Sequence, residues 1–239
     1  MSQNLKIFLG ISYLFILSLF LYFIFLQIDV SRLNDFSYYI EIQINIEDFI
    51  GNNIYMNLLF FFVFSIIWVI LLGFGLPLLI VSGILFGKWI GTFISVISIS
   101  LGALILYSIA TFFFADSIQN MFKGRFAKYI ALFKKNEFFY FFVYRFVGGL
   151  GVPFPLQNIL PVIFRMGKSN YFFSSLLGLI PNFFILNTIG SGLNDFIKQA
   201  DNFNFLDLIL NKQIYLPIIL FIILLIVATI VRKKIFGKT

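Results

Sequence analysis

Apolar residues run along this chain in long unbroken blocks with polar residues gathered between them, in place of the three- and four-residue recurrence of a surface helix. The first block, Ile7 to Leu26, is preceded by Lys6 and followed by Asp29. It exceeds the ~7–15 apolar residues of a secretory leader, and Gln27-Ile28-Asp29 offers no small-residue cleavage site. It reads as an uncleaved transmembrane helix. In the polar segment that follows, Ile40, Ile42, Ile44 and Ile46 alternate with polar residues, which predicts a short strand.

Leu58 to Phe114 then carries one charge, Lys88, and is cut by glycine and proline. Gly73-Phe74-Gly75-Leu76-Pro77 makes the first break. The arm from Pro77 to Phe86 would be about 15 Å long as helix, half of a ~30 Å hydrocarbon core. That length predicts a re-entrant hairpin over 58–88, with a spanning helix over 92–114. Leu58–Phe74 is itself nearly long enough to span, in which case the hairpin changes side. A basic loop over 115–137 carries Lys123, Arg125, Lys128, Lys134 and Lys135. The second block repeats the order. An apolar arm holding Arg145 is broken by Gly148-Gly149-Leu150-Gly151-Val152-Pro153-Phe154-Pro155, and a short arm and Gly167-Lys168 follow. This predicts a hairpin over 138–165 and a helix over 171–192. After a loop over 193–213, residues 214–239 give a last transmembrane helix and a basic tail.

The predicted fold is an all-α polytopic membrane protein. It is an inverted repeat of re-entrant hairpin plus transmembrane helix over 58–192, flanked by N- and C-terminal transmembrane helices (1–28 and 214–239). With both termini in the cytoplasm, twelve Lys/Arg lie inside and four outside, Arg145 stays in the membrane, and eight of ten acids lie in the extracytoplasmic loops 29–57 and 193–213. That is the positive-inside pattern, and it makes the two halves antiparallel.

Composition sharpens this. With 61% hydrophobic and 11% charged residues the chain lies outside the soluble globular range. The net charge of +7 follows from topology, so no nucleic-acid partner is expected. Cysteine and histidine are absent, which removes thiol chemistry, His-ligated metals and imidazole-based triads. No glycine-rich phosphate loop ending in Gly-Lys-Ser/Thr is present, and no carboxylate pair falls within an apolar block. No enzyme activity, cofactor or metal is expected.

Arg145 is the residue that chemistry must explain. A charge in hydrocarbon costs ~2.5–3.5 kcal/mol even on the lenient insertion scale, so it marks a site, snorkels to the surface, or bonds carbonyls freed by the break. Pro153 and Pro155 suit a helix start, as does Pro77, so each short arm would aim its N-terminus into the membrane gap. Two such ends beside Arg145 favour an anion such as phosphate, with Gln157 and Asn158 as further donors. The prolines could equally just close a turn. Gly75, Gly148 and Gly151 serve as hinges, and Gly83, Gly87 and Gly91 form a stripe for close helix packing. Asn182, Asn187, Thr188 and Ser191 fit interhelical hydrogen bonds.

Gly75-Leu76-Pro77 through Gly83-Ile84-Leu85-Phe86-Gly87 to Gly91, then Tyr144-Arg145-Phe146, Pro153-Phe154-Pro155, Asn158, Phe172 and Gly190, resemble the DedA/VTT-domain superfamily of SNARE-associated Golgi proteins. The likeness spans about 58–192 and looks closest to bacterial relatives of the yeast Golgi member. It implies two opposed re-entrant hairpins, a bacterial inner-membrane location and translocation of lipids, with Arg145 matching the family's arginine. Membrane lipids with anionic head groups are the implied partners, and the state of oligomerisation is open. Gly148 stands where many relatives have proline, and Leu150-Gly151 where DedA proper has a second arginine. The membrane-embedded acids of DedA are missing, so a differently coupled or energy-independent transporter fits better. The leading reading is a flippase- or scramblase-like transporter of a phosphate-bearing lipid. Alternatives are a small-anion or metabolite transporter using the same site, and a membrane-organising protein acting through the loop Asp116–Glu137.

Overall fold

A computed structural model describes residues 53–122, 127–199 and 210–236, with isolated positions elsewhere. The chain divides into two units, Met1–Ile42 and Gln43–Thr239. In the first, Phe8, Ile11, Ser12, Phe15, Ser18, Leu19, Tyr22 and Leu26 are helical. The rest of the predicted first helix lies outside the described residues.

In the second unit the elements are α1 (Ile54–Ile70), α2 (Gly75–Phe122), α3 (Ala127–Lys135), α4 (Glu137–Phe146), a 3-10 turn Gly148–Gly151, α5 (Phe154–Ile159), a 3-10 turn Leu160–Phe164, α6 (Lys168–Gln199) and α7 (Lys212–Phe236). Among the described residues there is no strand. Where the sequence predicts the strand, Glu41, Ile44 and Asn45 are helical, as is Asp48 beyond it, while Ile40, Ile42 and Ile46 lie outside the described residues. The basic stretch is not an open loop either. Helix α2 runs on to Phe122 and 127–135 forms α3, because nothing in the sequence obliges a helix to stop where the apolar block ends. The predicted span over 171–192 likewise lengthens to Lys168–Gln199.

Polar caps start two of these helices. Asn53 accepts from the Met56 N–H at 3.2 Å and Asn136 from the Phe139 N–H at 3.2 Å, each satisfying a donor that a helix start leaves orphaned. Helix α1 stops where Leu71 and Leu72 turn, Leu72 with φ of 61°. Trp68 closes the break by donating its Nε1–H to the Phe74 carbonyl at 2.9 Å. Helix α2 is two arms in one: Gly87, at φ 71° and ψ 176°, separates 75–86 from 88–122. Glycine alone adopts that geometry without cost.

The two halves share a contact pattern at a constant offset of 76 positions. Leu71 (φ −81°, ψ 20°) donates to Ile67, and Val147 (φ −85°, ψ 17°) donates to Val143. The next residues, Leu72 and Gly148, both have positive φ. Gly102 faces the Ile66 carbonyl and Val69 Cβ, while Gly178 faces the Phe142 carbonyl and Arg145 Cβ. Ser98 bonds back to Ile94 and Ser95, and Ser174 to Asn170 and Tyr171. Ser82 is hydrogen-bonded by Ser95 as Asn158 is by Tyr171. This register pairs Gly91 with Gly167, not Gly87-Lys88 with Gly167-Lys168, since the turn after the short arm falls at different places in the two halves.

Helices α2 and α6 make the most extensive packing. A Cβ on Gly83 would stand 2.2 Å from the Asn187 carbonyl oxygen, and one on Gly190 2.2 Å from that of Ile80. One on Gly91 would stand 2.5 Å from Asn187 Oδ1, whereas one on Gly87 would meet nothing within 4 Å. The stripe therefore divides: Gly83 and Gly91 pack, and Gly87 turns the chain. The core joins Val69, Leu79, Ile99, Tyr107, Val162 and Tyr171. Trp89, Phe93 and Phe112 point outward, as lipid-facing residues do. Helices α2 and α6 are long and apolar enough to cross a membrane.

Candidate functional site

The break after α4, the short arm α5 and the start of α6 bring three polar side chains around one guanidinium. Arg145, in the last turn of α4, has no exposed surface. Its Nη1 donates to Gln157 Oε1 at 3.2 Å, and its Nη2 to Asn158 Oδ1 at 2.6 Å and to the Tyr171 hydroxyl at 3.1 Å. Tyr171 passes its own proton to the Asn158 carbonyl at 3.1 Å. Rings cover the cation: its Cζ lies 4.9 Å from the centroid of Phe141, 5.7 Å from Phe154 and 5.9 Å from Tyr171. Such contacts favour a cation electrostatically and strengthen when desolvated.

Neither structural explanation of Arg145 holds in its simple form. The side chain does not snorkel, being wholly enclosed, and its hydrogen bonds go to side chains instead of freed carbonyls. Those carbonyls are met by Asn182 of α6, whose Nδ2 donates to Arg145 O at 3.1 Å and Phe146 O at 2.9 Å. The partners of the guanidinium are neutral, so its charge is solvated but not cancelled. Arg145 Nε, Asn158 Nδ2 and the Tyr144 hydroxyl are buried without a hydrogen-bond partner. Such donors cost about 1–3 kcal/mol each when left empty.

Gln157 and Asn158 are thus both at the site, Gln157 also donating from Nε2 to Val152 O at 2.7 Å and Gly148 O at 3.3 Å. Pro153 caps α5 and is exposed, while Pro155 is buried in its first turn. Pro77 lies exposed in the first turn of α2. The starts of the two short arms do meet: a Cβ on Gly75 would lie 3.5 Å from the Phe154 ring. Gly148 and Gly151 have φ of 72° and 82°, a conformation glycine adopts at no steric cost. Asn187 and Thr188 bond back to Phe183 and Phe184 within α6, so they are not the interhelical donors the sequence predicts.

Sequence reasoning missed Tyr171, Phe141, Phe154 and Gly149. Tyr171 reads as the first residue of an apolar span, yet it is wholly buried and stacks on Tyr107 with centroids 4.5 Å apart. Tyr107 in turn donates to the Met166 carbonyl at 2.6 Å, tying the long arm of α2 to the turn before α6. Spacing carries a signal for Tyr171: the offset of 76 sets it opposite Ser95, a polar position in an apolar helix.

At the mouth of the second arm sits Glu137, outside the spanning segments. It accepts from Lys134 of α3, from the Gly167 N–H at 2.8 Å and from Asn170 at 3.2 Å. Lys134 also donates to Arg165 O at 2.7 Å. Partial burial pushes the Glu137 carboxyl up, but the hydrogen bonds and the Lys134 charge outweigh it and hold it below the usual 4.5.

Broken helices, apolar outer faces and two helices long enough to cross a bilayer define a class, that of helical membrane proteins, here with a buried, uncancelled cation packed among the helices. The VTT domain matches residues 73–192, and the chain belongs to that family, the DedA/SNARE-associated Golgi proteins. No curated protein and no solved structure matches the chain.

Proposed function

We propose that the protein is a transporter that moves a phosphate-bearing lipid between leaflets in the manner of a flippase or scramblase. The observation that carries this reading is the guanidinium of Arg145, wholly buried, held only by neutral partners, and flanked by the empty donors of its own Nε and Asn158 Nδ2. A fixed cation with spare donors in a low-dielectric site is built for an anion. The acyl chains would stay in the bilayer while the head group meets Arg145. The family's membership in the membrane-transporter class supports this, as does the paired helix-break-helix order of the two halves.

In this reading 58–88 and 138–165 are re-entrant hairpins entering from opposite sides, and the halves related by 76 positions are inverted in the bilayer. Both termini are cytoplasmic in a bacterial inner membrane, as the Lys/Arg bias supports. Transport then needs no bound cofactor and no covalent step.

The test is leaflet exchange of fluorescent phospholipid in proteoliposomes, with wild type beside Arg145→Ala. Fast exchange that falls at least about tenfold in the variant is expected, the loss of a charge-assisted contact. Equal exchange in both proteins removes Arg145 from the path. Uptake of inorganic phosphate without lipid exchange replaces the lipid by a small anion. Function lost instead on neutralising Lys123, Arg125, Lys128, Lys134 and Lys135, with Arg145 changes silent, makes the protein a membrane organiser.

A further inference from the structure

We propose that the glycine turn Gly148–Gly151 is a gate over Arg145 and that Gln157 is its latch. This rests on reading Arg145 as the head-group receptor, which demands a way in, because the side chain has no exposed surface. Three of the four residues of the turn, Gly148, Gly149 and Gly151, have φ between 72° and 82°, so the segment is built from residues whose backbone moves at little steric cost. Its outer end has room to move beside α7: Gly151 is exposed and a Cβ there would touch nothing within 4 Å. Its inner end is fastened to one side chain. Gln157 donates to Gly148 O and Val152 O, on either side of the turn, and accepts from Arg145 with its oxygen.

One amide thus closes the gate and occupies the guanidinium together. Gly149 shows how close that fit is, since a Cβ there would stand 2.1 to 2.4 Å from the Gln157 amide atoms. When the Gln157 amide turns, it drops its bonds to Gly148, Val152 and Arg145 together and frees the turn to open. An arriving anion then takes the place of Gln157 Oε1 on Arg145. Closing is the reverse, and Asn158 and Tyr171 stay on the guanidinium throughout, so Arg145 is never left without an acceptor. Gln157 is here a positioning residue for the turn as well as a partner of the cation.

The readout is chemical access to Arg145, independent of transport: modification by phenylglyoxal in phosphatidylcholine vesicles, resolved by peptide mass, with exposed Arg165 as internal reference. In wild type Arg145 reacts far more slowly than Arg165. In Gln157→Leu, which keeps the volume and removes the amide, the Arg145 rate rises about tenfold, as loss of two latch bonds implies. An unchanged rate in that variant, or wild-type Arg145 as reactive as Arg165, overturns the gate.

Gln157→Glu covers the case in which the leucine variant fails to fold. Its carboxylate keeps the Arg145 contact but cannot donate to Gly148 and Val152, so hydrogen exchange over 148–153 must quicken, and unchanged exchange overturns the latch. Adding phosphatidic acid separates the two readings. If Gln157→Leu opens the pocket and phosphatidic acid slows only Arg145, both stand. If it opens and phosphatidic acid slows nothing, the gate stands and the phosphate-lipid reading falls.

Discussion

Arg145 makes no simple sense as a stabilising residue. A buried cation pays desolvation that neutral hydrogen bonds and ring faces only partly return, and replacing such a charge by an apolar side chain is often neutral. Arg145→Met should therefore leave the melting temperature in detergent within a few degrees of wild type, while lipid exchange collapses. A large fall in melting temperature would make Arg145 structural. Glycines separate in the same way. Gly87→Ala meets no atom and costs only the strain of its backbone at φ 71° and ψ 176°, about 1–3 kcal/mol. Gly190→Ala drives a methyl into the Ile80 carbonyl between the two longest helices and should lower the melting temperature more. Arg145 and Gly190 were both legible in the sequence, one as a charge in an apolar arm, the other as a family position. Gly149 was not, because its reason is a side chain eight residues on.

Helix breaks set the element scale, and they were read well where composition changes sharply. Gly/Pro runs announced both breaks, and the short arms begin within a few residues of them. Helix ends were read poorly. Asp116 and Leu193 looked like loop starts, yet α2 and α6 run past them, since a helix costs little to extend into water once nucleated. The clamp around Glu137 ties α3, α4 and the start of α6 together. Its folded pKa lies below the ordinary 4.5, so its stabilisation is complete above that value and is lost as pH falls through the lowered one. The melting temperature of wild type should therefore fall as pH drops from about 5 to about 3. Glu137→Gln should start lower at neutral pH and lose part of that slope. Parallel curves would detach Glu137 from the joining of α3 and α4 to the start of α6.

Across the whole molecule the order of elements was visible in the sequence, and the register between the halves was not. Gly87-Lys88 and Gly167-Lys168 look alike, but contacts pair Gly91 with Gly167. Side-chain identity is a poor guide when each half packs mainly on the other. What recurs is backbone: the same turn at Leu71 and Val147, the same glycine contact at 102 and 178. Val69 stands where Arg145 stands, so one half keeps the shape of the pocket without its charge. Antiparallel halves predict that a cysteine in place of exposed Lys135 reacts with an impermeant maleimide only from the cytoplasmic side. A cysteine at exposed Tyr55 should react only from the other side. Labelling of both from one side would rule out the inverted arrangement.

Trp68 gives the molecule a built-in optical probe. Its indole spans the first break, bonded to the Phe74 carbonyl and pressed so close to Gly73 that a methyl there would overlap the ring. The chain's one other tryptophan, Trp89, lies exposed on the outer face beside Phe184. Trp89→Phe would leave a single fluorophore whose emission reads the break between α1 and α2, with no dye attached. Movement at that break would appear as a red shift as the indole gains water, in step with any opening of the Gly148–Gly151 turn if the two halves move together.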